Sequence, residues 1–413
     1  MRSLRPFAFA LGWLVLFEAL LRLVCAPDPR TVRDPAHPYG CFADDELTQL
    51  VAAREADREA APLDVVLVGD SVLASVENAG GQRLADALQA ALPKALRSAR
   101  ADAGEAGPPV RVWTLAAGGA RATDVYAMLR RTERALRAGR RGTQGVQLVV
   151  SSNAIFFSQR HRQPAMAYPC LAAELAELGD ADADVEQCDL TPAARLAVPG
   201  VRDSGLARLE HRLLAAATAR VYLLQQRRRL AERLFGGPPR LALREGLQEL
   251  LHRRHSRRET DSALPAAERA AAELRQRDRP WTERGLSAAQ FAKSYDFVPL
   301  DSPDAVNLQW TRVLARWLGR QHDLAALAVL VPQNHALLGE LAAGPTYDAV
   351  GSAVAAAFAR AGVPFVSYDR DPALISEHFL DLDHLTAAGN RALADRLAQA
   401  LAPRLRQPAA GTR

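Results

Sequence analysis

Short apolar runs alternate with amphipathic ones along most of the chain. Five runs, 63–68 (LDVVLV), 110–115 (VRVWTL), 146–150, 325–331 (AALAVLV) and 363–366, have strand length, and turn-forming residues follow the first three. The first is largely apolar, the type buried on both faces of a parallel sheet. Helical periodicity fills the intervals at about 82–97, 123–138, 305–320, 346–361 and 386–401. Strand, loop and helix repeat at a spacing suited to βαβ units, which predicts an α/β domain with five parallel strands. Ligands of such sheets bind beyond the carboxyl ends of the strands. The rhythm breaks from about 160 to 295, where the chain is polar, arginine-rich and mainly helical. That stretch reads as a basic insertion within one domain spanning 63–404, with a tail at 405–413.

Residues 6–26 (PFAFALGWLVLFEALLRLVCA) stand apart. About 20 apolar residues suffice to cross a bilayer as a helix. Glu18 and Arg22 interrupt the run at i,i+4, on one face, and Arg22 lies close enough to the end to snorkel. The rival is a cleaved signal peptide ending at Val24-Cys25-Ala26, which Pro27 disfavours. Residues 1–26 are therefore read as a transmembrane anchor. Pro27, Pro29, Pro35 and Pro38 and a polar helical run follow, read as a stalk over 27–62. Arg2 and Arg5 before the segment balance Arg30 and Arg33 after it, so charge does not orient it.

Composition narrows the field. Of 413 residues 49% are hydrophobic and 24% charged, enough for a packed core and against wholesale disorder. The net charge of +5 favours anionic surfaces. Nucleic acid is not expected, because basic residues are not interleaved with aromatics. Cys25, Cys41, Cys170 and Cys188 allow three pairings and lack zinc spacing, so a structural metal is not expected; the serine chemistry considered below needs no cofactor. Asp180, Asp182 and Asp184 space like a calcium loop. Val185 stands where glycine is needed and Thr191 takes the twelfth place, so they read as a solvated acidic loop. His252 and His255 lie among arginines that would repel a cation.

The chemistry concentrates at strand ends. Gly69-Asp70-Ser71 is a common tripeptide, but it follows the first buried strand, where a serine is exposed at the top of the sheet. A serine nucleophile needs a base, and the base needs a group fixing its tautomer. Asp381 and His384, three apart before the last helix, can face the same way, whereas the adjacent Asp383 should point elsewhere. Gly389-Asn390 follows. An oxyanion needs preorganised donors. The backbone N–H of Ser71, that of Gly118 or, preferably, Gly119, and the amide of Asn153 can supply them. Asn334 and His335, after the fourth strand, could contact substrate, and His335 is the alternative base.

Gly69-Asp70-Ser71, Gly119, Asn153 and Asp381-x-x-His384, in this order, resemble the four blocks of the SGNH (GDSL-type) hydrolase superfamily. The resemblance covers about 63–158 and 300–404. It departs at Val72, where leucine is usual, and at Ala154, where the family has aspartate. It implies a flavodoxin-like three-layer α/β/α fold. It also implies Ser71, His384 and Asp381 as the triad of an esterase and Ser71, Gly119 and Asn153 as oxyanion donors. With the anchor, the chain also resembles the membrane-tethered branch, DltD-like and alginate-acetylation-like proteins that act on envelope polymers beside a multipass acyltransferase. The expectation is a single-pass inner-membrane protein whose extracytoplasmic domain hydrolyses an ester. The alternatives are acyl transfer to an envelope glycan and a non-catalytic membrane scaffold.

Overall fold

In a computed structural model, the described residues are 12–20, 42–57, 62–75, 82–98, 109–158, 278–292, 297–302 and 305–405, with Asn78, His161, Leu171, Glu174, Leu190, Thr191, Ala194, Val221 and Tyr295. The chain divides into two compact units, Met1–Cys41 with Asp203–Pro265, and Phe42–Arg202 with Ala266–Arg413. In the first, residues 12–20 are helical, and Trp13, Leu14, Val15, Leu16, Phe17 and Leu20 are exposed. Among the described residues no helix is long and apolar enough to cross a membrane, and the rest of 6–26 lies outside them. Cys25, Cys41, Cys170, Cys188, the 180–184 aspartates, His252, His255 and the tail beyond 405 also lie outside the described residues.

The second unit carries the sheet. Its elements are α1 (Phe42–Ala56), β1 (Leu63–Gly69), α2 (Ser71–Ala74), α3 (Leu84–Ser98), β2 (Val110–Ala116), α4 (Ala122–Ala138) and β3 (Val146–Ser152). After a 3₁₀ turn at Ala154–Phe157 come α5 (Ala288–Ala292), α6 (Val306–Arg320), β4 (Ala325–Leu330), α7 (His335–Leu338), α8 (Glu340–Ala343), α9 (Pro345–Arg360), β5 (Phe365–Ser367) and α10 (Ala387–Leu401). The strands are all parallel, in the order β2-β1-β3-β4-β5. From β1 the chain winds outward to β2, then returns past β1 to β3. The reversal opens a crevice at the carboxyl ends of β1 and β3, the place where doubly wound sheets bind ligands.

The core follows from the sequence spacing. Leu84, Leu88, Leu92 and Leu96 make an i,i+4 stripe on α3. With Leu393, Leu397 and Leu401 of α10 they bury Val65 and Leu67 of β1. Val66 and Val68 alternate to the opposite side. Among the helices beyond the first layer, α4 contacts β1 and packs on α6, with Tyr126 edge-on to Trp317 at 5.9 Å. The strands expected at 363–366 and 325–331 shift slightly. Val363 N–H is spent on Phe358 O and Pro364 has no N–H, so β5 begins at Phe365.

The stalk expectation is corrected for residues 42–56. These form α1, which belongs to the sheet unit and buries Leu47 and Leu50. Arg54, only 4% exposed, reaches Asp64 Oδ2 at 2.6 Å. Arg111 Nε (2.7 Å) and Trp113 Nε1 (2.9 Å) share the same carboxylate. Burial, with the charges of Arg141 and Arg111 beside it, pushes the Arg54 guanidinium down from its ordinary range against the opposing Asp64 bond and charge, and Asp64 is its partner of opposite charge. Asp64→Ala strands a buried guanidinium and is expected to cost about 3–5 kcal/mol in urea unfolding. Asp64 lies at the amino end of β1, about 20 Å from Ser71 along the strand, so activity per folded molecule should not change.

Candidate active site

β1 delivers the turn that carries Ser71. Gly69 is required there, because a Cβ would lie 1.8 Å from Ser151 Oγ. Asp70 caps α2, its Oδ1 accepting from Val72 N–H at 3.3 Å. Ser71 is the first residue of α2 and is 7% exposed. One turn later Ser75 adopts φ +47, a left-handed conformation uncommon outside glycine. Its hydroxyl accepts from Leu84 N–H at 2.9 Å and lies 3.4 Å from Asn390 Oδ1. The Asn390 amide donates to Asn78 Oδ1 and Gln82 O, both at 3.0 Å. The last helix thereby braces the loop behind Ser71. Gly389 permits a different close approach, of the last helix to the loop before it: a Cβ there would meet His378 O at 2.3 Å.

β2 delivers the glycine turn. Ala120 N–H bonds Ala117 O at 3.1 Å across a four-residue turn, and Gly119 at its third position has φ +78. That is the type II arrangement, which calls for glycine at this place. Gly118 faces open space and carries no such demand. Ala117 N–H bonds Gly69 O at 3.0 Å, tying the two turns together.

The loop before α10 delivers the imidazole. His384 Nδ1 lies 2.9 and 3.0 Å from the two Asp381 oxygens. Asp381 Oδ1 also accepts the backbone N–H of His384 (2.9 Å) and of Asp383 (3.2 Å). Burial opposes the Asp381 charge, but the His384 hydrogen bond and charge and the two N–H groups outweigh it. Its carboxyl is held below the ordinary range. Donation of Nδ1–H to Asp381 places the imidazole lone pair on Nε2. Asn334 steadies this loop, donating its N–H to Leu382 O at 2.8 Å and its amide to Asp381 O at 3.1 Å.

Two expectations need adjustment. Asp383 does not point away from His384: it is 4% exposed, with Oδ1 3.4 Å from His384 Nδ1. Its Oδ2 accepts from Asn153 Nδ2 at 2.8 Å. Asn153, 1% exposed, also donates to Asp70 Oδ2 at 2.6 Å and accepts on Oδ1 from Ile155 N–H and Gln333 Nε2. Two carboxylates therefore take the two amide hydrogens. His335 sits elsewhere, bound to Asp369 in a cavity that Ser71 does not line.

Burial, reinforced by the charge of Asp383, pushes Asp70 up to about 6 despite the opposing Asn153 bond, His384 charge and Val72 N–H. Burial likewise raises Asp383. A carboxyl raised in the folded state binds a proton that the unfolded chain releases between about pH 4 and 6. Asp70 therefore makes stability fall as pH rises through that window, by an amount on the order of 2–3 kcal/mol. Asp381, held low, acts oppositely and loses its contribution as pH falls below the ordinary carboxylate range. Urea midpoints should be lower at pH 7.5 than at pH 5, and Asp70→Asn should flatten that difference.

Ser71, Gly118, Gly119, Asp381, Leu382, Asp383 and His384 line one cavity of about 540 Å³. Asn153 is not among its lining residues. Sequence reasoning missed the rest of the wall: Ile155, Phe156, His161, Arg284, Leu286, Phe291 and Tyr295. The last five fall in the stretch taken as an insertion. His161 packs edge-on against Phe156 at 5.3 Å and lies 5.7 Å from Tyr295. Val298 N–H bonds Phe157 O at 2.9 Å, returning that stretch to the end of β3. Phe291 and Tyr295, four apart, were the available signal.

Asp381, Asp383 and His384 each bring a ligand atom within 4.8 Å of the others, so these groups could also coordinate a cation. The chain matches no protein-family model and no curated protein sequence.

Proposed function

We propose that the protein is a serine esterase of the SGNH kind with a flavodoxin-like three-layer domain. The reading rests on one observation: three segments distant in sequence bring Ser71, Gly119 and the Asp381–His384 pair to the wall of one cavity. Ser71 Oγ forms a bond to the ester carbonyl carbon as His384 Nε2 takes its proton. The backbone N–H groups of Ser71 and Gly119 stabilise the oxyanion. Collapse breaks the ester C–O bond, and His384 returns the proton to the leaving alcohol. Water, deprotonated by His384, then releases the acid and restores Ser71. Asp381 holds the tautomer and stabilises the imidazolium.

The same acyl-enzyme can be discharged by a sugar hydroxyl instead of water. The roomy cavity, edged by Phe291 and Tyr295, supports this second reading, because a sugar ring can lie on aromatic faces. A multipass acyltransferase partner belongs with it. The exposed apolar side chains of residues 12–20 support anchoring in a membrane; placement in the inner membrane with the sheet domain extracytoplasmic belongs with the envelope-glycan reading. Full-length protein in detergent should release p-nitrophenol from p-nitrophenyl acetate without a cofactor. Acetate ester appearing on an added oligosaccharide would replace hydrolysis by transfer. No release under either condition would leave the non-catalytic scaffold.

A further inference from the structure

We propose that Asn153 is not an oxyanion donor in this protein but an amide bridge that positions the nucleophile turn against the histidine loop, with Asp383 as its partner on the histidine side. The inference rests on the esterase reading for its kinetic consequences and on geometry alone for its structural ones.

An amide nitrogen carries two hydrogens, and Asn153 Nδ2 has a carboxylate oxygen on each side: Asp70 Oδ2 at 2.6 Å and Asp383 Oδ2 at 2.8 Å. Asp70 is bonded to Ser71, and Asp383 to His384. The bridge thus joins the residue before the nucleophile to the residue before the base. Both carboxylates are buried, and leaving either without its donor costs its full desolvation. The far end of Asn153 is fixed as well, since Oδ1 accepts from Ile155 N–H and Gln333 Nε2. Turning the amide toward substrate would break these bonds and strand two buried acids. Oxyanion stabilisation then falls to the N–H groups of Ser71 and Gly119, both on residues that line the cavity. Asp383 Oδ1, 3.4 Å from His384 Nδ1, adds a second negative group beside the imidazole.

The two roles separate when the polarity of the bridge is inverted. Asn153→Asp with Asp70→Asn and Asp383→Asn puts a carboxylate at the centre and amides on both sides. The hydrogen bonds reform in reverse, but position 153 can no longer donate. Full-length wild type, the triple variant, Asn153→Asp and Asn153→Ala would be compared by urea unfolding and by kcat and KM on p-nitrophenyl acetate. The bridge predicts a lowered urea midpoint for both single variants and recovery of it in the triple variant. It also predicts kcat within about tenfold of wild type in the triple variant, short of the 10²–10³-fold loss expected for a missing oxyanion donor. A triple variant with a wild-type midpoint and a kcat loss of about 10²–10³-fold at unchanged KM overturns the proposal. So does a wild-type midpoint in Asn153→Ala, and so does a triple variant no more stable than Asn153→Asp. If wild type shows no turnover at all, the esterase reading fails, while the midpoints still decide whether the bridge exists.

Discussion

Ser71→Ala is expected to reduce ester turnover by as much as 10⁶-fold, about the scale on which other serine triads lose activity when the nucleophile is removed. In the proposed mechanism the hydroxyl oxygen is the atom that becomes acylated, so no neighbour can take its place. Its removal deletes one oxygen from a cavity wall and should leave the urea midpoint near that of wild type. The combination matters, because a variant that loses activity by unfolding would lose both. Steady-state turnover and urea unfolding on the same preparation check it.

Asp381→Asn should be the next most damaging, lowering kcat by about 10³–10⁴-fold. An amide at this position can present N–H to His384 Nδ1 and turn the imidazole to the wrong tautomer. The substitution also keeps an oxygen for the backbone N–H groups of Asp383 and His384, so the loop should survive. Asp383, 3.4 Å from the same nitrogen, can compensate in part. The double variant Asp381→Asn with Asp383→Asn should therefore be worse than the single, and Asp383→Asn alone much milder than Asp381→Asn. Full activity in Asp381→Asn would remove Asp381 from the triad.

The sheet was legible because buried parallel strands are short and apolar and their helices carry regular stripes. Leu84, Leu88, Leu92 and Leu96 announce α3 without help from tertiary structure. The same holds for the Ser71 turn, the glycine turn and the Asp381–His384 pair, the first two lying just beyond a strand and the pair just before the last helix, at ends that the pattern marks. What escaped depended on long-range partners. Beside the buried Leu47 and Leu50, α1 is attached through Arg54 to Asp64, an ion pair that no local pattern encodes. Asp383 looked misdirected because adjacent residues usually diverge, yet the loop folds back, with Leu380 N–H bonding His384 O at 2.7 Å. Asn153 was assigned by its type and place. Its actual partners come from segments more than 80 residues away on one side and more than 200 on the other. The aromatic wall from Phe291 and Tyr295 was hidden in a stretch whose arginine content dominated its appearance.

The central claim is that Ser71 is a nucleophile activated by His384. Its most direct test is reaction of full-length protein with a fluorophosphonate, followed by intact-mass measurement and peptide mapping. The account predicts one adduct per chain, located on Ser71 and absent from both Ser71→Ala and His384→Ala. A folded wild-type protein that takes up no adduct, or takes it up at a residue other than Ser71, would contradict it.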